Sequence, residues 1–523
     1  FSVSSFQAVF LALIFLGRFT MLLESLTAGF DLFFTPLAIG LTFIGILIGL
    51  LVGALPGLGP LMGIILLLPV AISLPPIAAM GFLIAIFVGG SCGGSISAIL
   101  LRIPGTPLAA ATLFDGYPMA QNGRASDAIG IAITSSAIGG LIGGIVLIIG
   151  SPILARFASG FAPPEYAMLA ITGLFAIAII SGGSLFKGLT SGCLGLLLAT
   201  IGTDEFSTGY RFTFDSYHML NGFHIVAVVV GLFAVSEMAL QIMGRDLLKI
   251  PDVKVARPGF RSIFLTLRHW KNLLRSSSIG VFFGALPGAG GVISSFTSYA
   301  IAKAWSKPEE KYGEGAEGGV VSVESANNAT VGGTLVPTLA LGIPGDASSA
   351  MLLGALLILG FIPGPILFEQ QPEIVSGLFM VYMASNVFLL IAGLLVTPLF
   401  VYVLRIPKFY LIPIVLLLCS IGTFALQASV FDLMVMLGFG LVGILFRATN
   451  YPLSPIVIGL ILGPVLENNL RRALLISQDG YWIFVERPVS AVLVTINIAL
   501  VIGGIWYALQ KMHIKRTGND SGA

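Results

Sequence analysis

The side chains most suited to binding a ligand cluster around two Ile-Pro-Gly tripeptides that interrupt long apolar stretches. Ile103-Pro104-Gly105 is followed by Thr106, and Ile343-Pro344-Gly345 is followed by Asp346. Proline favours the first turn of a helix, and the free N–H groups at a helix start attract anions. We therefore predict that both breaks start half-helices, which face each other and hold an anionic substrate. The predicted substrate-binding residues are Ser95, Ser97, Arg102, Gly105, Thr106, Pro107, Gly345, Asp346 and Ser348.

A second set of residues suits a cation. Asn327 and Asn328 precede an apolar run, and their amide oxygens are uncharged acceptors that suit a dehydrated alkali ion such as Na⁺. Two glycine-proline turns, Gly53–Pro60 and Gly284–Gly291, add carbonyl groups. The predicted cation-binding residues, for Na⁺ or for H⁺ as the coupling ion, are Gly57, Gly59, Gly288, Gly290, Asn327, Asn328 and Thr330.

Both sets also have plainer interpretations. The two asparagines could serve only to cap a helix or to hydrogen-bond neighbouring helices, and the glycines only to permit close helix packing. Arg102 could extend to a membrane interface. Glu324 and Asp346 could be counter-charges at the sites or ordinary loop residues.

The glycine-proline turns belong to a pattern that occurs twice in the chain. Gly53-Ala54-Leu55-Pro56-Gly57 is repeated as Gly284-Ala285-Leu286-Pro287-Gly288, and each half also contains one of the Ile-Pro-Gly tripeptides. Transporters built from internal repeats carry interrupted helices at their binding sites. We predict two related halves, inverted with respect to each other by analogy with such transporters.

Composition places these residues in a membrane. Hydrophobic residues make up 56% of the 523 residues, charged residues 10%, and the mean hydropathy is +1.02. A soluble chain carries roughly a quarter charged residues, and apolar runs of about 20 residues are long enough to cross a bilayer. We predict an all-α polytopic membrane protein with about 12 transmembrane helices, some re-entrant or broken, and with both sites near mid-membrane.

One of the predicted interruptions rests on glycine alone. The stretch Gly89–Ser95 contains four glycines within six residues, and each glycine costs a helix about 1 kcal/mol relative to alanine. We therefore expect a re-entrant hairpin or an unwound helix there.

The charged residues predict the organisation of the chain. A basic segment between residues 244 and 278 indicates a cytoplasmic linker by the positive-inside rule. We divide the chain into an extra apolar segment of unclear status (1–20), a first half (21–243), the linker (244–278), a second half (279–510) and a tail (511–523).

Several function classes are disfavoured. The chain lacks HExxH, a GxSxG serine with its partners and a nucleotide-binding loop, so an intramembrane enzyme or an ATP-driven pump is the weakest interpretation. The three cysteines lie in apolar runs and fit neither a disulfide framework nor a metal site. A net charge of +2 gives no indication of nucleic-acid binding.

Longer stretches around these motifs resemble the large membrane subunit of the tripartite tricarboxylate transporters, the TctA family, from about Met21 to the C-terminus. The stretches that carry the resemblance are Gly53–Pro60, Gly93–Leu100, Ile103–Pro107, Asp115–Ala120, Glu324–Asn328 and Pro337–Gly345.

The resemblance implies a multi-pass protein of the bacterial inner membrane that takes up carboxylates such as citrate, other di- and tricarboxylates or aromatic acids. It implies symport with Na⁺ or H⁺, a small four-helix membrane subunit and a periplasmic solute-binding protein as partners. The residues themselves leave open a stand-alone channel or exporter with the same broken-helix architecture.

Overall fold

The computed structural model describes residues 27–55, 57–180, 185–204, 206–207, 209–243, 257–286, 290–307, 309–403 and 407–519. Six helices in these ranges are long and apolar enough to cross a membrane. A pair of helices bent by 95° would give a seventh span if the two together cross the membrane once. Four further apolar helices are shorter. These findings confirm the all-α polytopic membrane protein. The total of about twelve crossings stays a prediction.

In the first half, helical residues 27–33 are followed by nine α-helices and a two-stranded ribbon within the described ranges. In chain order they are α1 (Pro36–Ala54), α2 (Gly59–Ala71), α3 (Pro76–Leu101), a 3₁₀-helix (Pro107–Thr112), α4 (Leu113–Met119), a π-helical turn (Ala120–Arg124), α5 (Ala125–Ala158), α6 (Pro163–Ile180), α7 (Leu185–Ala199), β1 (Gly202–Thr203), β2 (Tyr210–Arg211), a 3₁₀-turn (Tyr217–Met219), α8 (Ile225–Val229), a π-helical segment (Val230–Val235) and α9 (Ser236–Met243).

The second half continues with helices throughout its described ranges. In chain order they are α10 (Arg261–Arg268), α11 (Trp270–Ala285), α12 (Gly290–Ala304), α13 (Glu317–Leu341), α14 (Ala347–Ile358), α15 (Pro365–Gln370), α16 (Pro372–Val403), α17 (Lys408–Gln427), α18 (Val430–Ala448), α19 (Ser454–Ile476), a 3₁₀-turn (Gly480–Trp482), α20 (Ile483–Glu486) and α21 (Pro488–Asn519).

Two helical hairpins form around the repeated glycine-proline motif. Leu55 and Leu286 both precede a proline in the sequence, and a residue before proline is sterically driven out of the helical region. Both are extended accordingly, with φ/ψ of −81°/114° and −86°/117°, and they end α1 and α11. The predicted helix breaks at these two motifs are therefore present.

Each hairpin packs against the next long helix of its own half. A methyl group added to Gly53 would lie 2.2 Å from the carbonyl oxygen of Gly90 in α3, and one added to Gly284 would lie 2.4 Å from that of Thr330 in α13. The return helices contact the same partners, since Pro60 of α2 touches Gly90 and the hydroxyls of Ser294 and Thr330 are 2.7 Å apart. Matched contacts are expected of related halves, although the repeat and its inversion stay predictions.

The predicted interruption at Gly89–Ser95 is wrong. α3 runs without a break from Pro76 to Leu101. A methyl group at Gly89 or Gly93 would lie 2.7 or 2.4 Å from a carbonyl oxygen of α1. The glycines therefore permit direct backbone contact, which offsets their low helix propensity.

The linker boundaries stay a prediction, and a helix crosses the predicted boundary at residue 279. Residues 244–256 lie outside the described ranges, as does the segment 1–20. α11 begins at Trp270, nine residues before the predicted start of the second half. The helix starts earlier because its polar first turns pack beside the polar start of α13, where Asn272 donates to the carbonyl of Gly318 at 2.7 Å.

Ion pairs connect the remaining helices at their ends. Arg471 of α19 lies 2.9 Å from Asp204, which follows β1, and Arg487 lies 2.6 Å from Glu165 of α6. The hydrogen bond from the backbone N–H of Phe206 and the ion pair with Arg471 hold the pKa of Asp204 well below its usual range.

Candidate functional site

The site is built where α3 crosses α13. The side-chain amide of Asn328 donates to the carbonyl of Val88 at 3.5 Å, and that of Asn327 donates to the carbonyl of Ser91 at 3.0 Å. Residue numbers fall along one helix while they rise along the other, so the two helices run antiparallel here. Helix–helix hydrogen bonding by the two asparagines is therefore present.

The amide oxygens of the same two residues have no partner among the described residues. Asn327 and Asn328 are fully buried, and Oδ1 of each lacks a hydrogen bond. Buried polar atoms are nearly always satisfied, so each exception needs an explanation. Two uncharged oxygens directed into the protein interior have the chemistry expected of cation ligands. The hydroxyl of Thr330, in contrast, is hydrogen-bonded to the hydroxyl of Ser294 and to the carbonyl of Ala326.

A buried carboxylate lies one helical turn before Asn327. Glu324 is fully buried, and its carboxylate accepts hydrogen bonds from the hydroxyl of Thr112 and, at 3.0 Å, from that of Ser136. The amide of Asn327 lies 3.5 Å from the same carboxylate. The sequence suggested Glu324 as a possible counter-charge or a loop residue, and nothing in the sequence singles out Thr112 or Ser136.

The first hairpin places its tip beside the first Ile-Pro-Gly break. Gly57 and Gly59 have positive φ of 91° and 65°, which glycine adopts without strain. A methyl group on Gly59 would lie 3.6 Å from Thr106, and one on Gly57 would lie 2.7 Å from the carboxylate of Glu237. Gly59 thus lies near the break and Gly57 lies beside a charged residue of α9, while their role as cation ligands stays a prediction.

The second hairpin is described on both sides of its tip. Gly288 lies outside the described residues, together with its two neighbours in the chain. Gly290 begins α12 with φ 59°. A methyl group on Gly291 would lie 2.3 Å from Leu108 and 3.8 Å from Oδ1 of Asn327. The second hairpin therefore approaches both the cation ligands and the segment that follows the first break.

The first break is held tightly from two sides. The N–H of Gly105 donates to the carbonyl of Gly94 at 3.2 Å, and a methyl group on Gly105 would lie 2.2 Å from the carbonyl oxygen of Gly53. Pro107 starts a 3₁₀-helix, as expected of a proline at a first turn. The hydroxyl of Thr106 is buried and has no partner among the described residues, so it is available to a ligand.

The second break contacts the equivalent residues of its own half, but the helix that follows it starts differently. A methyl group on Gly345 would lie 2.8 Å from the carbonyl oxygen of Gly284. Asp346 caps α14: its carboxylate accepts from the N–H of Ser349 at 2.7 Å, and the Ser349 hydroxyl accepts from the N–H of Asp346 at 2.9 Å. A carboxylate at this helix start fills the position that an anionic substrate would take, whereas Ser348 is buried beside it.

The two breaks lie on opposite sides of the helix crossing. Gly94, which contacts the first break, is six residues past Val88, and Thr334, which contacts Gly345, is six residues past Asn328. Because the helices are antiparallel, the breaks are roughly 18 Å apart along them at a rise of 1.5 Å per residue. The structure does not bring the two predicted half-helix starts into one pocket.

Three other predicted substrate residues have local roles. The hydroxyls of Ser95 and Ser97 bond to the carbonyls of Cys92 and Gly94, within the same helix. Arg102 ends α3 with a φ of 58° and is exposed. Its guanidinium lies over the ring of Tyr117, at the mouth of a cavity of about 480 Å³. Arg102 thus lies at a surface, as in its plainer interpretation.

Sequence reasoning missed one buried anchor entirely. Asp115 accepts three backbone hydrogen bonds of 2.8 to 2.9 Å from Gly313, Gly315 and Ala316, and a fourth of 2.9 Å from the hydroxyl of Tyr299. It ties the segment after the first break to the loop that leads into α13. Only its position in an otherwise apolar stretch marks it in the sequence.

Comparison with known proteins identifies the architecture. Residues 39–458 match the sequence profile of the tripartite tricarboxylate transporter TctA family. An uncharacterized 52.8 kDa protein in the TAR-I ttuC' 3' region of Agrobacterium vitis is 35% identical over 485 residues, which cover 92% of this chain and 96% of the relative.

A second relative from the same organism matches part of the chain. An uncharacterized protein in the TAR-II ttuC' 3' region is 35% identical over 223 residues, which cover 43% of this chain and 92% of the relative.

Proposed function

We propose that this chain, which belongs to the tripartite tricarboxylate transporter TctA family, is a cation-coupled symporter that imports carboxylates across the bacterial inner membrane. Membership makes it a membrane component of such a transporter. The substrate class, the coupling ion and the membrane are the parts that we propose.

The pair of hairpins is the observation that carries the proposal. Each hairpin packs, just before its partly exposed tip, beside a Pro-Gly break of its own half, through the contacts of Gly53 with Gly105 and of Gly284 with Gly345. In an apolar interior, free backbone groups at such ends need a partner, and a bound ion or substrate supplies one. Two such ends on opposite sides of one crossing suit an anion and a cation that are carried together.

The anion side of the proposal rests on the first break. The buried hydroxyl of Thr106 has no partner among the described residues and can donate, and Pro107 starts a short 3₁₀-helix directly after it. At the second break Asp346 already occupies the helix start, so Ser348 is the more suitable donor there. We therefore place the substrate carboxylate closest to Thr106.

The cation side rests on the two unpartnered amide oxygens at the crossing. Asn327 and Asn328 lie on α13, so an ion bound there would be held by the helix that the second hairpin contacts. Na⁺ or H⁺ would be the coupling ion. A small four-helix membrane subunit and a periplasmic solute-binding protein are the proposed partners, the second of which delivers the substrate.

Uptake into proteoliposomes tests the proposal. The complete transporter is reconstituted with its two partners, and labelled citrate uptake is measured with an inward Na⁺ gradient, an inward proton gradient or neither. We expect accumulation above the outside concentration that stops when the ion gradients are collapsed. Uptake that only equilibrates would indicate a channel and would contradict coupling.

A further inference from the structure

Glu324 is a buried carboxyl group without a cationic partner among the described residues. It lies eight residues into α13 counted from Glu317, is fully buried and forms no ion pair within the described ranges. Removing an ion from water costs several kcal/mol unless an opposite charge offsets it. An ionisable residue in such an environment is therefore a candidate for an ion pathway.

The groups around the carboxylate are all neutral and come from three elements. They are the hydroxyl of Thr112 at the end of the 3₁₀-helix, the hydroxyl of Ser136 on α5 and the amide of Asn327 on α13. These neutral groups can stabilise an ionised Glu324 through hydrogen bonds but cannot cancel its charge. The nearest titratable neighbour on α3 is Cys92. On the adjoining helix α12, the hydroxyl of Tyr299 donates a hydrogen bond to Asp115.

The neighbourhood also contains oxygen atoms without partners. Oδ1 of Asn327 and Oγ of Ser91 are buried and unbonded among the described residues. The two residues are joined by the hydrogen bond from Asn327 to the carbonyl of Ser91. One carboxylate and several neutral oxygens form a set of hard ligands with a single negative charge.

The composition of this set discriminates between metal ions. Divalent cations and zinc need several carboxylate, imidazole or thiolate ligands, and the described residues contain no group of three such side chains. A single charge matches a monovalent ion. Hydroxyl and amide oxygens are hard ligands, which suit an alkali cation.

We propose that Glu324 supplies the negative charge of a Na⁺ site whose other oxygens come from Asn327, Ser91, Thr112 and Ser136. The inference rests on the proposed function, since it names the ion and its charged ligand. One bound Na⁺ makes the site neutral.

The position of Thr112 gives the site its coupling role. The 3₁₀-helix Pro107–Thr112 starts next to Thr106 and ends on Glu324. Na⁺ bound at Glu324 therefore fixes the C-terminal end of this 3₁₀-helix, and the substrate is proposed to bind at its N-terminal end. The ion orders the start of this helix and thereby favours carboxylate binding.

Direct measurement of ²²Na⁺ binding to the purified full-length protein tests the site, with Glu324→Gln as the test variant. We expect the wild type to bind one Na⁺ saturably and Glu324→Gln to lose affinity on the order of 100-fold or more, because the nearest negative charge is gone. Glu165→Gln is the matched control, since Glu165 is also buried but is paired with Arg487; its Na⁺ affinity should equal that of the wild type.

Uptake assays complete the experiment. Glu324→Gln should lose Na⁺-driven citrate accumulation, and Glu324→Asp, which keeps the charge, should retain it with a higher Na⁺ requirement. Na⁺ binding by Glu324→Gln equal to that of the wild type would overturn the site, as would absence of Na⁺ binding by the wild type. If Glu324→Gln does not fold, a folded Glu324→Asp that binds no Na⁺ also overturns it. Failure of the wild type to take up carboxylate would refute the proposed function but leave the binding result to decide the site.

Discussion

Replacing Asp115 by alanine should destabilise the protein more than any other single change to a surface-proximal loop contact. The carboxylate accepts three backbone N–H groups and one tyrosine hydroxyl, all at 2.8 to 2.9 Å. Hydrogen bonds to a charged group contribute about 1.5–3 kcal/mol each, but neighbouring bonds are not additive. We expect a loss of about 4 kcal/mol in the free energy of unfolding.

The asparagine variant separates the geometry of Asp115 from its charge. In Asp115→Asn the amide oxygen can still accept from Gly313, Gly315 and Ala316, and the amide N–H can donate to the hydroxyl of Tyr299. We expect this variant to lose only about 1 kcal/mol, because the loop stays attached and only the charge is lost.

Thermal and denaturant unfolding in detergent, followed by intrinsic fluorescence, measures both variants. Asp479→Ala, in an exposed turn before the 3₁₀-turn Gly480–Trp482, is the matched control and should unfold like the wild type. The reasoning is refuted if Asp115→Ala is as stable as this control, or if Asp115→Asn is as unstable as Asp115→Ala.

Three further predictions concern the breaks and the start of α13. Gly105→Ala should reduce stability by about 1–3 kcal/mol and abolish uptake, because its methyl group would lie 2.2 Å from a backbone oxygen. Thr106→Val should weaken carboxylate binding by about tenfold, measured by isothermal titration, because the methyl group cannot donate. Glu317 has a pKa lowered to about 2 by His269 and Arg124. It should therefore add stability above its unfolded pKa near 4.5, and this should be lost as the pH falls toward 2.

Each of the three has a result that contradicts it. Gly354→Ala, which meets no atom within 4 Å, controls for the alanine itself, and equal melting temperatures for the two alanine variants would exclude the clash. Normal titration of citrate into Thr106→Val would remove that hydroxyl from the site. If the melting temperature of Glu317→Gln falls between pH 5 and pH 3 as steeply as that of the wild type, protonation of Glu317 does not cause the loss of stability in acid.

Much of the architecture follows from local rules that the sequence displays. Proline after Leu55 and Leu286 ends a helix because it excludes the helical conformation of the residue before it, and a second apolar run follows each turn. The high content of apolar residues and the low content of charged residues indicate a membrane protein. These features depend only on neighbours in the chain, so they can be read without tertiary information.

The glycine-rich part of α3 shows where local reasoning fails. Glycine weakens an isolated helix, and the stretch Gly89–Ser95 was expected to break for that reason. The helix stays intact because α1 lies against it closely enough to need those missing side chains. Propensity describes a chain without neighbours, and here a tertiary contact decides.

The candidate site was predicted in its parts rather than in its arrangement. The asparagines are buried at a helix crossing and the hydroxyl of Thr106 has no partner among the described residues, while their roles as ligands stay predictions. The separation of the two breaks depends on the antiparallel crossing of α3 and α13, which no motif records. Glu324 became prominent only once its neighbours Thr112 and Ser136, both distant in sequence, were placed beside it.

The glycine contact between α1 and α3 also restricts how the protein can move. Backbone lies against backbone at Gly49, Gly53, Gly89 and Gly93, so at these four positions no side-chain rotamer can change to accommodate sliding. We therefore expect α1 and α3 to move as one rigid body, and α11 and α13, which meet in the same way at Gly280 and Gly284, to move as a second. Any opening of the site has to occur between these two bodies and their surroundings, where larger side chains can rearrange.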